Sequence, residues 1–362
     1  MWGKLSAEYL MDCIGYGAHD EKGLLVPIKF KRRIAGPDDV TFRITHCGVC
    51  YAEVKWVFNK IGTTKYPIVP GHEVVGVVTA VGDNVKRFQV GDRVGVGPFC
   101  NSCQKCEYCN KNMENSCLKQ PILTYDGIDV DGSVTKGGFS NAMVTHQRFC
   151  VKIPDTLASD VAAPLLCAGI TVYSPMMRHH MNQAGKSLGV IGLGGLGHMA
   201  VKFGQAFGLH VTVLSTSPAK EEEALRVLGA DAFIVSKDEA AMKAAAGSLD
   251  FIVDTASGMH PLDPYLLLLK QEGIITIVSA PPEMKFTPAI LFRGLKTISG
   301  STIGGMKEVQ EMLDFCAEKG VTPMIETIPI NYANEALKRL QNKDVRYRFV
   351  IDIENSLKES IK

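Results

Sequence analysis

The chain has 362 residues, more than one hydrophobic core usually fills, so two domains are expected. With 46% hydrophobic and 21% charged residues it has an ordinary globular composition, which excludes a disordered tail, a collagen-like fibre or a coiled coil. Lys and Arg number 39 against 38 Asp and Glu, a formal charge of +1. So balanced a chain offers no global field to nucleic acid or an anionic membrane, and neither is expected as a partner.

In chain order, the opening MWGKLSAEYLMDC carries charge early and lacks the apolar stretch of a signal peptide. No uninterrupted apolar run approaches the roughly 20 residues of a spanning helix. Residues 74–96, VVGVVTAVGDNVKRFQVGDRVGV, are short β-branched runs broken by Gly-Asp turns, the grammar of a compact barrel. After Ala184 the pattern changes: SLGVIGLGGLGHMAVKFGQAFGLHVTVLST reads as strand, glycine turn, amphipathic helix and second strand. DFIVDTAS, GIITIVSA and TISGST supply further apolar strands, with helices expected over 219–228 and 263–270. Alternating strand and helix predicts a parallel sheet covered on both faces. KEVQEMLDFCAEKG then has helical apolar spacing, and RYRFVIDI returns to a strand. The expected class is α/β: a β-rich unit, a doubly wound unit and a short return segment.

Gly192, Gly194 and Gly197 satisfy G-x-G-x-x-G, with Gly195 and Leu196 completing the turn. The first glycine permits the tight turn, the second lets the backbone approach a pyrophosphate, and the third lets helix and strand pack closely. The phosphates would sit at the helix N-terminus, where free N–H groups and the dipole favour negative charge. An NAD site carries an acid roughly 20 residues after the first glycine. Here Ser215, Thr216, Ser217 and Lys220 stand there instead, and hydroxyls with a cation suit a 2′-phosphate. The expected cofactor is NADP(H); the alternative is that these hydroxyls merely cap the helix beginning near Pro218.

Eleven cysteines, an odd number, argue against a disulfide framework and for a reducing, cytosolic compartment. Cys103, Cys106, Cys109 and Cys117 form C-x2-C-x2-C-x7-C, four sulfurs able to close a tetrahedral structural zinc site. An iron–sulfur cluster is the competing reading, and Cys100 lies in phase with the same spacing. A second set is dispersed: Cys50, His72, Glu73 and Cys167. Two thiolates and one imidazole leave a fourth position open, the pattern of a catalytic zinc. Taken alone, Cys167 reads more readily as an inert core residue.

GHEVVGVV, the four-cysteine loop, LLCAGIT, GLGGLGH and DVRYRFVIDI together resemble the zinc-containing medium-chain alcohol dehydrogenases, almost end to end. Within them the chain is similar to the plant cinnamyl-alcohol-dehydrogenase-like branch, including its monoterpene indole alkaloid reductases. The resemblance implies a chaperonin-like (GroES-like) β-barrel catalytic domain over 1–166 and 306–362, with a Rossmann domain inserted over 167–305. It implies a homodimer joined through the Rossmann sheet edges. It also implies two zinc ions per chain: one catalytic, on Cys50, His72 and Cys167 with Glu73 exchanging against water, and one structural, on Cys103, Cys106, Cys109 and Cys117 with Cys100 a bystander.

Departures from the family matter as much. Alcohol-active members carry Ser or Thr two residues after the first catalytic cysteine, and usually a histidine at the next relay position. This chain has Ala52 and Lys55, so the proton relay is cut at its first step. Tyr51 is the candidate replacement donor. Trp56, Phe58, Ile61, Pro98, Ile122, Thr302 and Ile303 are expected around the substrate, Phe58 being the weakest of them. Such a wall suits a bulky, flat, apolar molecule. An NADPH-dependent reductase is expected. An iminium or conjugated iminium, needing no proton relay, is favoured over an aldehyde. A conventional cinnamyl-type alcohol dehydrogenase is the alternative, and a catalytically silent NADPH-binding module a third, against which the retained metal ligands count.

Overall fold

The computed structural model describes residues 10–358, so most of the opening stretch read for a signal lies outside it. The chain divides into two compact units, one running to Cys167 and resuming at Gly304, the other Ala168–Ile303. The expected boundaries differ from these by one residue and by two. Cys167 stays with the first unit because it lies beside His72. Gly304 and Gly305 join it because this segment is pressed onto the four-cysteine loop: a Cβ on Gly305 would lie 1.7 Å from the Asn112 carbonyl oxygen.

In the first unit one sheet runs in the order Ile325–Pro329, Arg348–Asp352, Asp39–Val49, Val74–Val81, Arg93–Val96 and Val151–Lys152, with Ala142–His146 also paired to Asp39–Val49. The return segment adds antiparallel to the early strand, with Phe349 opposite Val49 and Asp352 opposite His46. Phe42, Ile44, Val74, Val94 and Phe349 are buried between its layers, and this apolar burial is what fixes both ends of the chain in one body.

The second unit holds a six-stranded parallel sheet in the order Ala232–Val235, His210–Ser215, Ser187–Ile191, Leu249–Asp254, Leu269–Ile277, Thr297–Gly300. Leu188, Val190, Val211, Val213, Ile252 and Val253 have no exposed surface, as strands covered on both faces require. Strand order reverses between Ser187–Ile191 and Leu249–Asp254, the point at which such sheets open a ligand crevice.

One helix differs from expectation in its type and another in its extent. The helix expected over 219–228 is present from Pro218 to Val227, but its hydrogen bonding changes along its length, opening as a 3-10 turn at Pro218–Lys220 and widening to a π-helical turn at Glu223–Val227. The 263–270 helix stops at Leu266, because Leu269 is drawn into the sheet opposite Leu249. The run LLLLK suits either state, and burial beside Leu249 decides it. The helical run Ser159–Arg178, 20 residues with an 18-residue stretch of mean hydropathy 1.2, is long and apolar enough to span a membrane, but 78% of that stretch is buried within the protein, as in a core helix.

Candidate active site

Gly192, with φ +83°, makes the left-handed exit from the first strand of the parallel sheet. A Cβ on Gly197 would meet the Gly192 carbonyl oxygen at 2.0 Å, so helix Gly197–Ala206 can approach the turn only without one. Gly194 differs: no protein atom lies within 4 Å of its Cβ position, so nothing in the protein demands glycine there. The open space above it is where a pyrophosphate would rest. Gly195 and Leu196 carry the chain into the helix.

Ser215, buried, closes the second strand, and its hydroxyl accepts the Ser217 amide at 3.2 Å. Thr216 is exposed. Ser217 sits at the N-cap of the short turn, but its side chain makes no capping bond, which removes the capping alternative for Ser217. The Lys220 ammonium folds back to the Leu193 carbonyl, bringing its charge onto the glycine turn. No acid stands at the strand end. The donor set fits a phosphorylated dinucleotide.

In the first unit, Cys50 ends strand Asp39–Val49 and caps helix Tyr51–Val57, while His72 and Glu73 enter strand Val74–Val81. Cys167 projects from a widened π-helical turn at Leu165–Gly169, a distortion frequent at functional sites. One ligand atom from each of Cys50, His72, Glu73 and Cys167 lies within 4.8 Å of the others. His72 Nε2 is 3.3 Å from Cys167 Sγ, and Nδ1 is 2.5 Å from Glu53 Oε1. The carboxylate thus accepts the hydrogen bond from Nδ1–H and turns Nε2 toward the sulfurs, as the outer partner of a metal-bound histidine does.

Electrostatics point the same way. A hydrogen bond from Cys167 lowers Cys50 well below the ordinary thiol value, and the same contact, with burial, raises Cys167. Burial opposes charge on His72, yet Glu53 and Cys50 outweigh it and raise the imidazole. Glu73 is fully buried; burial pushes it up to about 7 against the pull of Arg348, whose guanidinium it holds through Oε1. Its Oε2 has no hydrogen-bond partner. A Cβ on Gly48 would lie 1.8 Å from that oxygen, so glycine makes room for it. An orphaned carboxylate oxygen beside two thiols and an imidazole nitrogen is a donor set that fits a divalent cation.

Cys103, Cys106, Cys109 and Cys117 also bring their sulfurs within 4.8 Å, around the helical turns Glu107–Asn110 and Glu114–Ser116. Cys103 to Cys109 and Cys106 to Cys117 are each 4.0 Å. A tetrahedron with Zn–S bonds of about 2.3 Å has edges of about 3.8 Å. The cage therefore suits one ion and leaves no room for a polynuclear cluster. Backbone N–H groups of Cys109 and Leu118 pull Cys106 down to about 6, while burial pushes Cys109 up to about 12. Cys100 faces the carbonyls of Ile122 and Leu123 at 3.7 and 3.5 Å and takes no part.

Tyr51 is 41% exposed at the helix start, with Lys60 Nζ 6.0 Å from its ring centre. It has no hydrogen-bond partner among the described residues. Trp56, Ile61, Pro98 and Ile122 are half-buried in the first unit; Thr302 and Ile303 belong to the second, Ile303 in a left-handed conformation at φ +54°. Phe58, like Trp56, packs against the first-unit core, and its ring lies over Gly23. Three residues that sequence reasoning missed complete the site: Glu53, Arg348 and Tyr125. The buried Tyr125 ring lies 5.8 Å from His72 and edge-on to Trp56 at 5.9 Å. Burial, then Glu53, drives its phenol well above the ordinary value. A glutamate three residues after Cys50 was the available signal for the first; an arginine opening the apolar run RFVID was the signal for the second.

The alcohol dehydrogenase GroES-like domain family matches residues 36–155, and the zinc-binding dehydrogenase family matches 195–318. A probable cinnamyl alcohol dehydrogenase from Oryza sativa subsp. japonica is 60% identical over 347 residues, 96% of this chain and 98% of its own. A cinnamyl alcohol dehydrogenase structure from Sorghum bicolor superposes with a TM-score of 0.92 at 50% identity, covering 96% of this chain and 99% of that one. The Helicobacter pylori enzyme complexed with NADP(H) gives 0.88 at 33% identity, covering 96% and 99%. With thiolate and imidazole donors at one centre, a four-sulfur cage at another and an acid-free dinucleotide turn, the chain is an NADP(H)- and zinc-dependent oxidoreductase belonging to the medium-chain alcohol dehydrogenases, in their plant cinnamyl-alcohol-dehydrogenase-like branch.

Proposed function

We propose that the enzyme is a reductase of a conjugated aldehyde on a flat, largely apolar substrate of the cinnamyl type. The observation that carries this reading is the Trp56–Tyr125 edge-to-face pair seated against His72, an aromatic wall at a metal ligand. When bound, zinc supplies a Lewis acid for a carbonyl oxygen and NADPH supplies the hydride. Cys50, His72 and Cys167 would hold that ion. Glu53 orients the imidazole, and Arg348 keeps the Glu73 charge compensated. Ala52 has no proton to donate and Tyr51 faces solvent, so protonation of the product falls to water.

That last point supports a second reading, reduction of an iminium or conjugated iminium such as an indole alkaloid intermediate. Its product nitrogen needs no proton, and the missing hydroxyl then costs nothing. Steady-state rates with a hydroxycinnamaldehyde and with a cyclic indole iminium separate the two. Under the first reading the aldehyde is the better substrate, and Ala52→Ser raises its reduction and the reverse alcohol oxidation by about tenfold, less than a positioned acid–base group usually contributes because water already serves in the wild type. An unchanged rate in that variant, or an iminium preferred by a wide margin, refutes it. Tyr51→Phe is expected to leave both rates within about twofold; a larger loss restores Tyr51 as the donor.

The second unit supports a homodimer. Thr297–Gly300 is an edge strand, and Phe292 and Leu295 nearby are 76% and 69% exposed. All eleven cysteines are unpaired, which supports a reducing, cytosolic setting; a fluorescent fusion accumulating in a secretory compartment would contradict it.

A further inference from the structure

The segment following strand Leu249–Asp254 forms the second wall of the glycine turn. The Thr255 amide donates to the Ile191 carbonyl at 3.0 Å. Its hydroxyl donates to the same oxygen at 2.7 Å, with the Gly192 carbonyl at 3.1 Å. The Ala256 amide stands 3.5 Å from where a Gly192 Cβ would be. Whatever fixes residues 255–260 therefore fixes the shape of the phosphate cradle.

The fixing group is an ion pair. Asp254, fully buried at the point where strand order reverses, accepts the Ala256 amide on Oδ1 at 3.0 Å and His260 Nε2 on Oδ2 at 3.0 Å. The other ring nitrogen, Nδ1, lies 2.9 Å from the Gly258 carbonyl oxygen. A carboxylate and a carbonyl both accept and neither donates, so satisfying both requires a proton on each nitrogen. We infer that His260 is a positioning residue for NADPH: held as an imidazolium between Asp254 and Gly258, it closes residues 255–260 into a clamp on the glycine turn.

The surroundings leave Asp254 as the partner that matters. From the following helix, Tyr265 presents its ring edge-on at 5.6 Å, and its hydroxyl is engaged by Ser236. Lys285, whose backbone bridges to Pro261, turns its largely exposed ammonium toward Glu283 at 3.7 Å. The Asp254 hydrogen bond, ahead of the opposing effect of burial, raises His260 above its ordinary 6.5. The sign follows. The cation, and with it the clamp, is complete below the raised value. As pH climbs through it one acceptor loses its donor and the loop loosens, so NADPH affinity falls toward alkaline pH. By linkage, NADPH binding takes up a proton wherever His260 is partly neutral.

The test is the dissociation constant of NADPH for the zinc-loaded full chain, by nicotinamide fluorescence, between about pH 7 and about pH 9, where the 2′-phosphate is already ionised. In the wild type it is expected to rise about tenfold, the scale of one charge-assisted hydrogen bond. His260→Gln should bind weakly at both ends with a flat profile. Thr255→Val, which detaches the clamp from the turn, should weaken binding at about pH 7 while His260 still titrates. Imidazole ¹⁵N shifts of the wild-type protein decide the matter even if a variant does not fold: both nitrogens should be protonated at about pH 7. A neutral His260 there, parallel pH profiles for wild type and His260→Gln, or unchanged affinity in both variants would overturn the assignment.

Discussion

Arg348 reaches Glu73 across 275 residues of sequence, and Glu53 reaches His72 across 19. Neither is one of the four candidate donors, yet each sets the charge or orientation of one that is. Glu53→Ala is expected to cost about 10- to 100-fold in zinc affinity at the catalytic centre, measured by chelator competition, because the imidazole loses the acceptor that turns it. Arg348→Met strands the Glu73 carboxylate in a fully buried position and should destabilise the first unit by about 3–5 kcal/mol in denaturant titration. Of the four donors, Cys50, His72 and Glu73 stood out in their own motifs, whereas Cys167 was legible only through the family resemblance of LLCAGIT. Their supports were not legible, since a carboxylate or guanidinium acquires such a role only from contacts that local pattern cannot encode.

Among elements, the glycine turn was the most legible because its demands are local. Gly197→Ala would set a methyl 2.0 Å from the Gly192 carbonyl oxygen, so helix and strand must separate; NADPH affinity is expected to fall by tenfold or more, about 1.4 kcal/mol, in fluorescence titration. Ser215→Asp places a carboxylate at the end of the second strand, where it repels a 2′-phosphate and accepts from ribose hydroxyls. The NADPH-to-NADH ratio of kcat/KM should drop by tenfold or more, and an unchanged ratio would remove Ser215 from the coenzyme site. The 263–270 helix was misread because four consecutive leucines carry no period.

At the scale of the whole molecule, the two-unit plan was legible in the switch from β-branched runs to strand–helix alternation, and the boundaries fell within two residues of expectation. The dimer proposed from the Thr297–Gly300 edge should appear in light scattering as twice the chain mass, and Phe292→Asp with Leu295→Asp should shift it to monomer.

A catalytic zinc acting with NADPH, in a chain that holds a second zinc for structure, is the centre of the enzyme's chemistry. Titrating dipicolinate while counting zinc and following NADPH-dependent reduction of a hydroxycinnamaldehyde tests this directly. Activity should vanish with the first of two zinc equivalents, return when zinc is restored, and fail with NADH at matched concentration. Full activity after that equivalent has left, or equal rates with NADH, would contradict it.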